Sequence, residues 1–225
     1  MTPTQAKSLA ALDEESRVLL RRIVESLAWR QLASLNILGH CLKYVTELDV
    51  KSRVVAELER CLALLKSVRV LYSELGWTDL ESAVRDRAES LPYPQSRLEF
   101  GVAYYTSGLA EEVAMRSYVE SSCAAFAEIA RSHVEAAAQR PLPTRFSEYC
   151  AEPANRPQAQ EFLDIWVTIA RRSFGRADTP SDARALALGL KARRARELDA
   201  EFCGRLKPLL ERCGLVLPAL EDECA

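Results

Sequence analysis

The sequence has little of what metal and disulfide sites require. Histidine occurs only twice in 225 residues, at His40 and His133. The seven cysteines are an odd number and none belongs to a CxxC pair, so the set fits neither a disulfide framework nor a zinc site. We therefore expect reduced thiols that mostly fill the core, with Cys224 near the C-terminus as the most exposed one.

A strong net charge and long apolar runs are also missing. The net charge is -2 and the pI is near 5.9, so no overall field attracts DNA or RNA, and we expect no nucleic-acid partner. No segment offers about 20 uninterrupted apolar residues, and the N-terminus has no apolar run long enough for a signal peptide. These features predict a cytoplasmic protein without a membrane partner.

Helical periodicity is what the sequence does contain. Apolar residues recur every three or four positions along most of the chain, as expected for amphipathic helices. Gly76 ends the second of these segments, and Pro141 and Pro143 end the fourth. The four long helices are predicted over about 14–44, 54–75, 96–120 and 122–139.

Capping signals predict shorter helices. Thr78 and Glu81 have the spacing of a capping box, which would open a helix that runs to about residue 90. In the last third of the chain, Pro157 and Thr179 begin helices and Gly214 ends one, while strand-like alternation is lacking. We therefore predict an all-α protein with a single domain over 1–225, in which a four-helix core over about 14–140 carries C-terminal helices over about 144–214.

Seven short segments are informative together: RQLA at 30–33, LGHCLKY at 38–44, LYSELG at 71–76, LPYPQS at 91–96, PANRP at 153–157, RSFGR at 172–176 and LGLK at 188–191. They resemble the phenylacetic acid catabolic family, which comprises the ferritin-like subunits of phenylacetyl-CoA epoxidase and their relatives. The similarity extends over about residues 20–205. It implies a ferritin-like four-helix bundle with additional C-terminal helices.

The resemblance also implies where a diiron centre would be. Catalytic members are expected to use one glutamate from each of two helices and a Glu-x-x-His motif from each of the other two. Residue Ile37 lies three positions before His40 and Ala130 lies three before His133, so neither motif is present. Alignment to the family pattern assigns the six vacated ligand positions to Ala28, Cys61, Leu64, Ser117, Ala137 and Arg140.

Loss of the ligands as a set is expected when a bundle keeps its fold without its metal. Buried carboxylates cost several kcal/mol when no cation compensates them. The resemblance therefore implies a protein without metal or other cofactor. It would be a non-catalytic structural or regulatory subunit that forms a homo-oligomer or pairs with a catalytic, ligand-bearing homologue.

Other interpretations of the remaining residues stay open. A displaced, carboxylate-rich metal site is one, although solvated helix faces or helix ion pairs also account for these carboxylates. His40 and His133 are interpreted as structural histidines with satisfied hydrogen bonds rather than as lone metal ligands. The carboxylates in question are Glu25, Glu57, Glu59, Glu112, Glu120, Glu128 and Glu135.

A function in a different class is an enzyme, or a protein that binds a small molecule or a coenzyme A thioester, in a remodelled bundle pocket. Trp29 and Tyr104 would line that pocket, or else fill the core. Basic residues in the last third of the chain would contact an acidic partner or the phosphates of a thioester, or else form a solvated face. They are Arg171, Arg172, Arg176, Lys191, Arg193 and Arg194.

Overall fold

The computed structural model of the protein describes residues 7–137 and 144–219, and it is helical over most of these ranges. Within them there is no β-strand, only an isolated bridge between Lys7 and Cys123, so the all-α prediction is confirmed. None of the described helices is both long and apolar enough to cross a bilayer. The helices are α1 (Glu14–Cys41), α2 (Leu48–Glu74), α3 (Leu80–Glu89), α4 (Arg97–Arg116), α5 (Ala124–Ala137), α6 (Thr144–Ala151), α7 (Arg156–Arg172), α8 (Pro180–Ala187) and α9 (Ala195–Cys213).

Four helices form a closed ring of contacts. Helix α1 packs against α2 and α4, and α5 packs against the same two helices. Helices α1 and α2 have 28 and 27 residues, which corresponds to about 40 Å each. Their apolar residues recur at helical spacing and are buried between them, as with Leu20, Val24 and Leu27 of α1 against Val68 and Leu71 of α2. Side chains from all four helices therefore meet in one interior.

The helix ends follow local capping chemistry, with two corrections. The predicted capping box of Thr78 and Glu81 is wrong, because Asp79 is the N-cap and accepts a hydrogen bond from the Ser82 backbone N–H at 3.2 Å. Helix α4 ends at Arg116, earlier than predicted. The Ser117 carbonyl accepts a hydrogen bond from Ala192 N–H at 2.8 Å, so a contact with a distant segment replaces further helix there.

The C-terminal helices pack on the ring. Helices α7 and α9 contact α4, α8 contacts α1, and α6 contacts α9. The Thr179 hydroxyl caps α8 by accepting from Asp182 N–H at 3.2 Å, and Gly214 ends α9 with φ of 69°, as the sequence predicts. Helix α6 has no counterpart in the predictions, and it buries Phe146 and Cys150, which are one turn apart.

The thiols behave as expected within the described residues. All six cysteines there are free, five of them are buried, and Cys203 is half-buried. Cys224 lies outside the described residues. Burial raises the pKa of the Cys41 thiol to about 12 and that of Cys150 to about 11. These two thiols therefore act as small apolar side chains.

Candidate functional site

A buried polar cluster lies where α1, α2, α4 and α5 meet. Arg60 and Glu57 come from α2, Glu111 from α4, His133 from α5 and Gln31 from α1; these five residues are the Arg60 cluster, in which the buried Gln31 amide has no hydrogen-bond partner among the described residues. The side chains of Arg60, Glu57, Glu111 and His133 are 15%, 10%, 6% and 2% exposed. Such charged groups are rarely buried unless they are paired, so the contacts within the cluster decide what it does.

The Arg60 guanidinium bridges side chains from three helices. Its Nε donates to Glu57 Oε2 at 3.0 Å, and its Nη2 donates to the other oxygen of the same carboxylate. Its Nη1 lies 3.4 Å from Glu111 Oε1 and 2.8 Å from Nδ1 of His133. Because Glu57 and Arg60 are three residues apart, both project from the same face of α2. One cation thus serves two carboxylates.

The pKa values of the two carboxyl groups are shifted in opposite directions. Burial by itself would raise the pKa of Glu111, but the hydrogen bond and charge of His133, the charge of Arg60 and the nearby Gln31 amide outweigh it and hold this pKa at about 2. The His133 Nε2 lies 2.5 Å from Glu111 Oε1. For Glu57, burial is the largest effect and Arg60 only partly offsets it, so its pKa is raised. Glu111 is therefore the permanent anion of the cluster.

The cluster does not fit a metal ion. A guanidinium has five N–H donors and no lone pair with which to bind a metal, and here it already occupies the space between the carboxylates. Among residues 7–137 and 144–219, no group of three or more His, Cys, Asp or Glu side chains has a geometry that could hold a metal. The arrangement is a self-compensated ion cluster.

None of the predicted vacated-ligand positions within the described residues belongs to this cluster. Ala28 and Leu64 are part of the apolar core. Cys61 touches the cluster, with its Sγ 3.8 Å from Arg60 Nη2, and burial raises the pKa of its thiol. Ser117 is buried at the end of α4, where its hydroxyl accepts from Arg193 N–H at 3.1 Å. Ala137 ends α5 and its side chain is not described, and Arg140 lies outside the described residues.

Neither Glu111 nor Arg60 was predicted as a site residue from the sequence. Of the seven carboxylates considered for a displaced metal site, Glu57 is the one in the cluster. Glu25, for example, accepts instead from the Tyr72 hydroxyl at 2.8 Å. The sequence does contain a pattern that indicates burial of Glu111. This residue lies three and four residues before the buried Ala114 and Met115, so all three lie on the same face of α4.

The two histidines differ in whether their ring nitrogens have hydrogen-bond partners. His133 is buried and paired with Glu111, which confirms the prediction of satisfied hydrogen bonds for this histidine. The ring of His40 packs against Tyr93, with 4.8 Å between centroids, and its buried Nε2 has no hydrogen-bond partner among the described residues. The prediction of satisfied hydrogen bonds is therefore wrong for His40.

Two clefts adjoin the cluster between α1 and α4. The first, the Tyr104 cleft, is lined by Tyr104, Glu57 and Phe100, and the second, the Trp29 cleft, is lined by Trp29, Arg30 and Trp166. Both share the lining residues Ser34, Ile37, Ser107 and Glu111. Tyr104 lines only the first cleft and Trp29 only the second, and Trp29 also belongs to the buried core.

No protein-family model matches the chain. No curated protein matches it either.

Much of the positive charge in the last third of the chain is engaged internally. Arg171 forms a bidentate pair with Asp199 at 2.8 Å for both contacts. Lys191 is buried against Asp182, and Arg193 pairs with Glu201. Arg194 lies 4.0 Å from Asp178, while Arg172 and Arg176 are exposed on the surface. These pairs reduce the charge available to an acidic partner.

Proposed function

We propose that the protein is a non-catalytic, metal-free ferritin-like subunit with a structural or regulatory role. The observation that carries the proposal is the Arg60 guanidinium, which lies in the bundle interior against Glu57, Glu111 and His133. In diiron bundles, metal ions compensate the inward-facing carboxylates. Here a side-chain cation compensates them, so the bundle interior is neutralised without metal.

The distribution of these residues over the helices supports the family resemblance. Diiron bundles have one ligand on each of two helices and a pair three residues apart on each of the other two. In this chain α1 and α4 contribute one polar residue each, and α2 and α5 contribute positions three apart. This favours a register different from that of the sequence alignment. The six positions would be Gln31, the pair Glu57 and Arg60, Glu111, and the pair Ala130 and His133.

In that register, three ligand types remain and three are replaced. Glutamate is replaced by Gln31 and Ala130, and histidine by Arg60. Two of these changes remove a negative charge and the third adds a positive one. Together they lower the demand for an external cation, which supports loss of the metal as a coordinated change.

Metal analysis with back-substitution tests the proposal. Protein produced with iron supplied is expected to contain no stoichiometric iron. The triple variant Gln31→Glu, Arg60→His, Ala130→Glu restores both Glu-x-x-His pairs and is expected to retain cobalt(II) or iron(II) after desalting. The matched control Gln31→Glu, Ala130→Glu keeps Arg60 and is expected to retain neither. Two irons per wild-type chain would refute the proposal.

The outer face of α2 supports the assembly part of the proposal. Leu48, Val55 and Leu62 are exposed and seven residues apart, which places them on one face of the helix, and exposed Val70 continues the row. This row is called the α2 stripe. Glu59 and Lys66 are exposed on the same face. Neither forms an ion pair among the described residues.

The α2 stripe is complementary to itself. If a second copy crosses antiparallel with the two-fold axis between Leu62 and Ala63, Val55 of each copy faces Val70 of the other. In the same register Glu59 faces Lys66, and the two-fold symmetry forms this pair twice. Apolar residues meet apolar residues and opposite charges meet. The expected partner is therefore a second copy of this chain, associated through α2.

Sedimentation measurements test this association. Leu62→Glu is expected to shift the protein to monomer, whereas Ile165→Glu, at a site of matched exposure (42% against 43%), is expected to leave the dimer intact. Glu59→Lys should weaken the dimer, and the double variant Glu59→Lys, Lys66→Glu should restore it. A wild-type monomer at all concentrations, or a dimer insensitive to Leu62→Glu, would contradict the antiparallel arrangement.

A further inference from the structure

Two buried hydrogen-bond donors at the Trp29 cleft have no acceptor. The indole Nε1 of Trp29 and the Nε of Arg30 make no hydrogen bond within the described part of the chain. Both residues line the cleft, and they are only 5% and 9% exposed. A buried donor without an acceptor is destabilising, and more so when it is charged. Two such donors on consecutive residues of α1 therefore indicate that acceptors are missing at this cleft.

The charge of Arg30 is also uncompensated. Its one hydrogen bond among the described residues runs from Nη1 to the Ser173 carbonyl at 3.4 Å, at the C-terminal end of α7. That helix end supplies a partial negative charge, but no carboxylate pairs with Arg30 in the described ranges. Arginine is rarely buried without such a partner.

A second arginine strengthens the positive field. The Arg87 guanidinium lies 4.0 Å above the Trp29 ring, and it also has no ion pair among the described residues. Burial and then the charge of Arg30 lower the pKa of Arg87, so the two guanidinium groups interact unfavourably. An anion between or beside them would relieve this repulsion.

The rest of the cleft is mainly apolar. Ile37, Leu91, Ala110, Trp166 and Ile169 form much of its wall. Glu111 also lines it, but Arg60 and His133 already compensate that carboxylate. The cleft thus combines a positive, donor-rich end with hydrocarbon walls, which is the usual composition of a site for a small amphipathic ligand.

We propose that the Trp29 cleft binds a small organic carboxylate. The carboxylate group accepts from Nε of Arg30 and Nε1 of Trp29, and the hydrocarbon part packs against the apolar wall. This inference uses none of the residues on which metal loss or α2 association depends, except Glu111 as a neighbour. It can therefore hold or fail independently of the proposed function.

Binding of straight-chain carboxylates tests the proposal. Acetate, butanoate and hexanoate are added to the full-length protein at low chloride, and calorimetry and thermal unfolding are measured. Butanoate or hexanoate is expected to bind saturably and to raise the Tm. Acetate is expected to bind more weakly because it lacks the hydrocarbon part. Butylamine and the methyl ester of butanoate, which lack the negative charge, are expected not to bind.

Substitutions assign binding to the site. Arg30→Met is expected to weaken binding at least about tenfold, as loss of a charge-assisted hydrogen bond does. Trp29→Phe keeps the packing, removes Nε1 and is expected to weaken binding about threefold to tenfold. It provides the test if Arg30→Met does not fold. Arg85→Met, an exposed arginine on α3, is the matched control and is expected to bind as wild type does.

Several results would overturn the proposal. One is the absence of saturable binding by any of the three carboxylates. Another is binding that survives both Arg30→Met and Trp29→Phe unchanged. Binding of inorganic phosphate or chloride in place of the organic carboxylates would show an anion site without a site for the hydrocarbon, and it would also overturn the assignment.

Discussion

Replacement of Arg60 by methionine should destabilise the fold strongly. Methionine keeps most of the apolar length of the side chain and removes the guanidinium. Glu57 and Glu111 would then remain buried, with side-chain exposures of 10% and 6%, and only His133 would be left to compensate them. The perturbation therefore separates loss of charge from loss of packing.

The expected magnitude follows from the contacts. Arg60 donates to both oxygens of Glu57 and lies 3.4 Å from Glu111, so its removal breaks a buried pair with one carboxylate and weakens another. Removing one partner of a buried pair typically costs about 3–5 kcal/mol. Arg60→Lys should fall between wild type and Arg60→Met, because an ammonium group is a point charge that cannot bridge both carboxylates in the same way.

Urea unfolding at pH 7 measures the effect. Arg131→Met is the matched control, because Arg131 pairs with Glu128 at the surface with side-chain exposures of 48% and 67%. Its free energy of unfolding should change by no more than about 1 kcal/mol. Adding Glu57→Gln to Arg60→Met should recover at least about 1 kcal/mol, since it removes an uncompensated charge.

Acid should also rescue Arg60→Met in part. Without Arg60 the buried carboxylates take up protons more readily when folded than when unfolded, so the deficit relative to wild type should shrink as the pH falls from 7 to 5. A cost of less than about 1 kcal/mol for Arg60→Met at pH 7 would show that Arg60 does not compensate these carboxylates. The same conclusion would follow if Glu57→Gln added its own destabilisation to that variant instead of rescuing it.

Two further predictions concern titrating groups. The pKa of Glu111, about 2 against an ordinary 4.5, implies roughly 3 kcal/mol of stability that is present above pH 4.5 and lost as the pH falls towards 2. The difference in unfolding free energy between wild type and Glu111→Gln should therefore shrink across that window, and a constant difference from pH 7 to 3 would argue against it. The Cys41 and Cys150 thiols should react with a disulfide reagent at pH 8 only on unfolding, whereas half-buried Cys203 should react in the native state. Native labelling of Cys41 or Cys150, located by mass spectrometry, would contradict their burial.

The helices were predictable because their signals are local. Apolar spacing marks the long helices, and single residues such as Thr179 and Gly214 set helix ends through their own backbone neighbours. The errors arose where distant contacts intervene. Helix α4 stops where Ser117 binds the backbone of Ala192, a residue 75 positions further along the chain, and no local pattern announces that contact.

The Arg60 cluster could not be assembled from the sequence. Glutamate and arginine are normally solvated, so Glu111 and Arg60 appear in the sequence as ordinary surface residues. Their burial depends on packing of α2 against α5 and of α4 against α5, and the Arg60 contact with His133 joins residues 73 positions apart. The sequence before the two histidines rules out two Glu-x-x-His motifs, but it did not indicate that a buried arginine lies against Glu57 and Glu111.

Iron content of the wild-type protein tests the central claim most directly. The protein is produced with iron supplied, purified without chelator, and analysed for metal per chain by mass spectrometry. If Arg60 compensates Glu57 and Glu111, iron should be far below one atom per chain, and addition of iron(II) should leave the Tm unchanged. Two iron atoms per chain, together with a rise in Tm on adding iron(II), would contradict the claim.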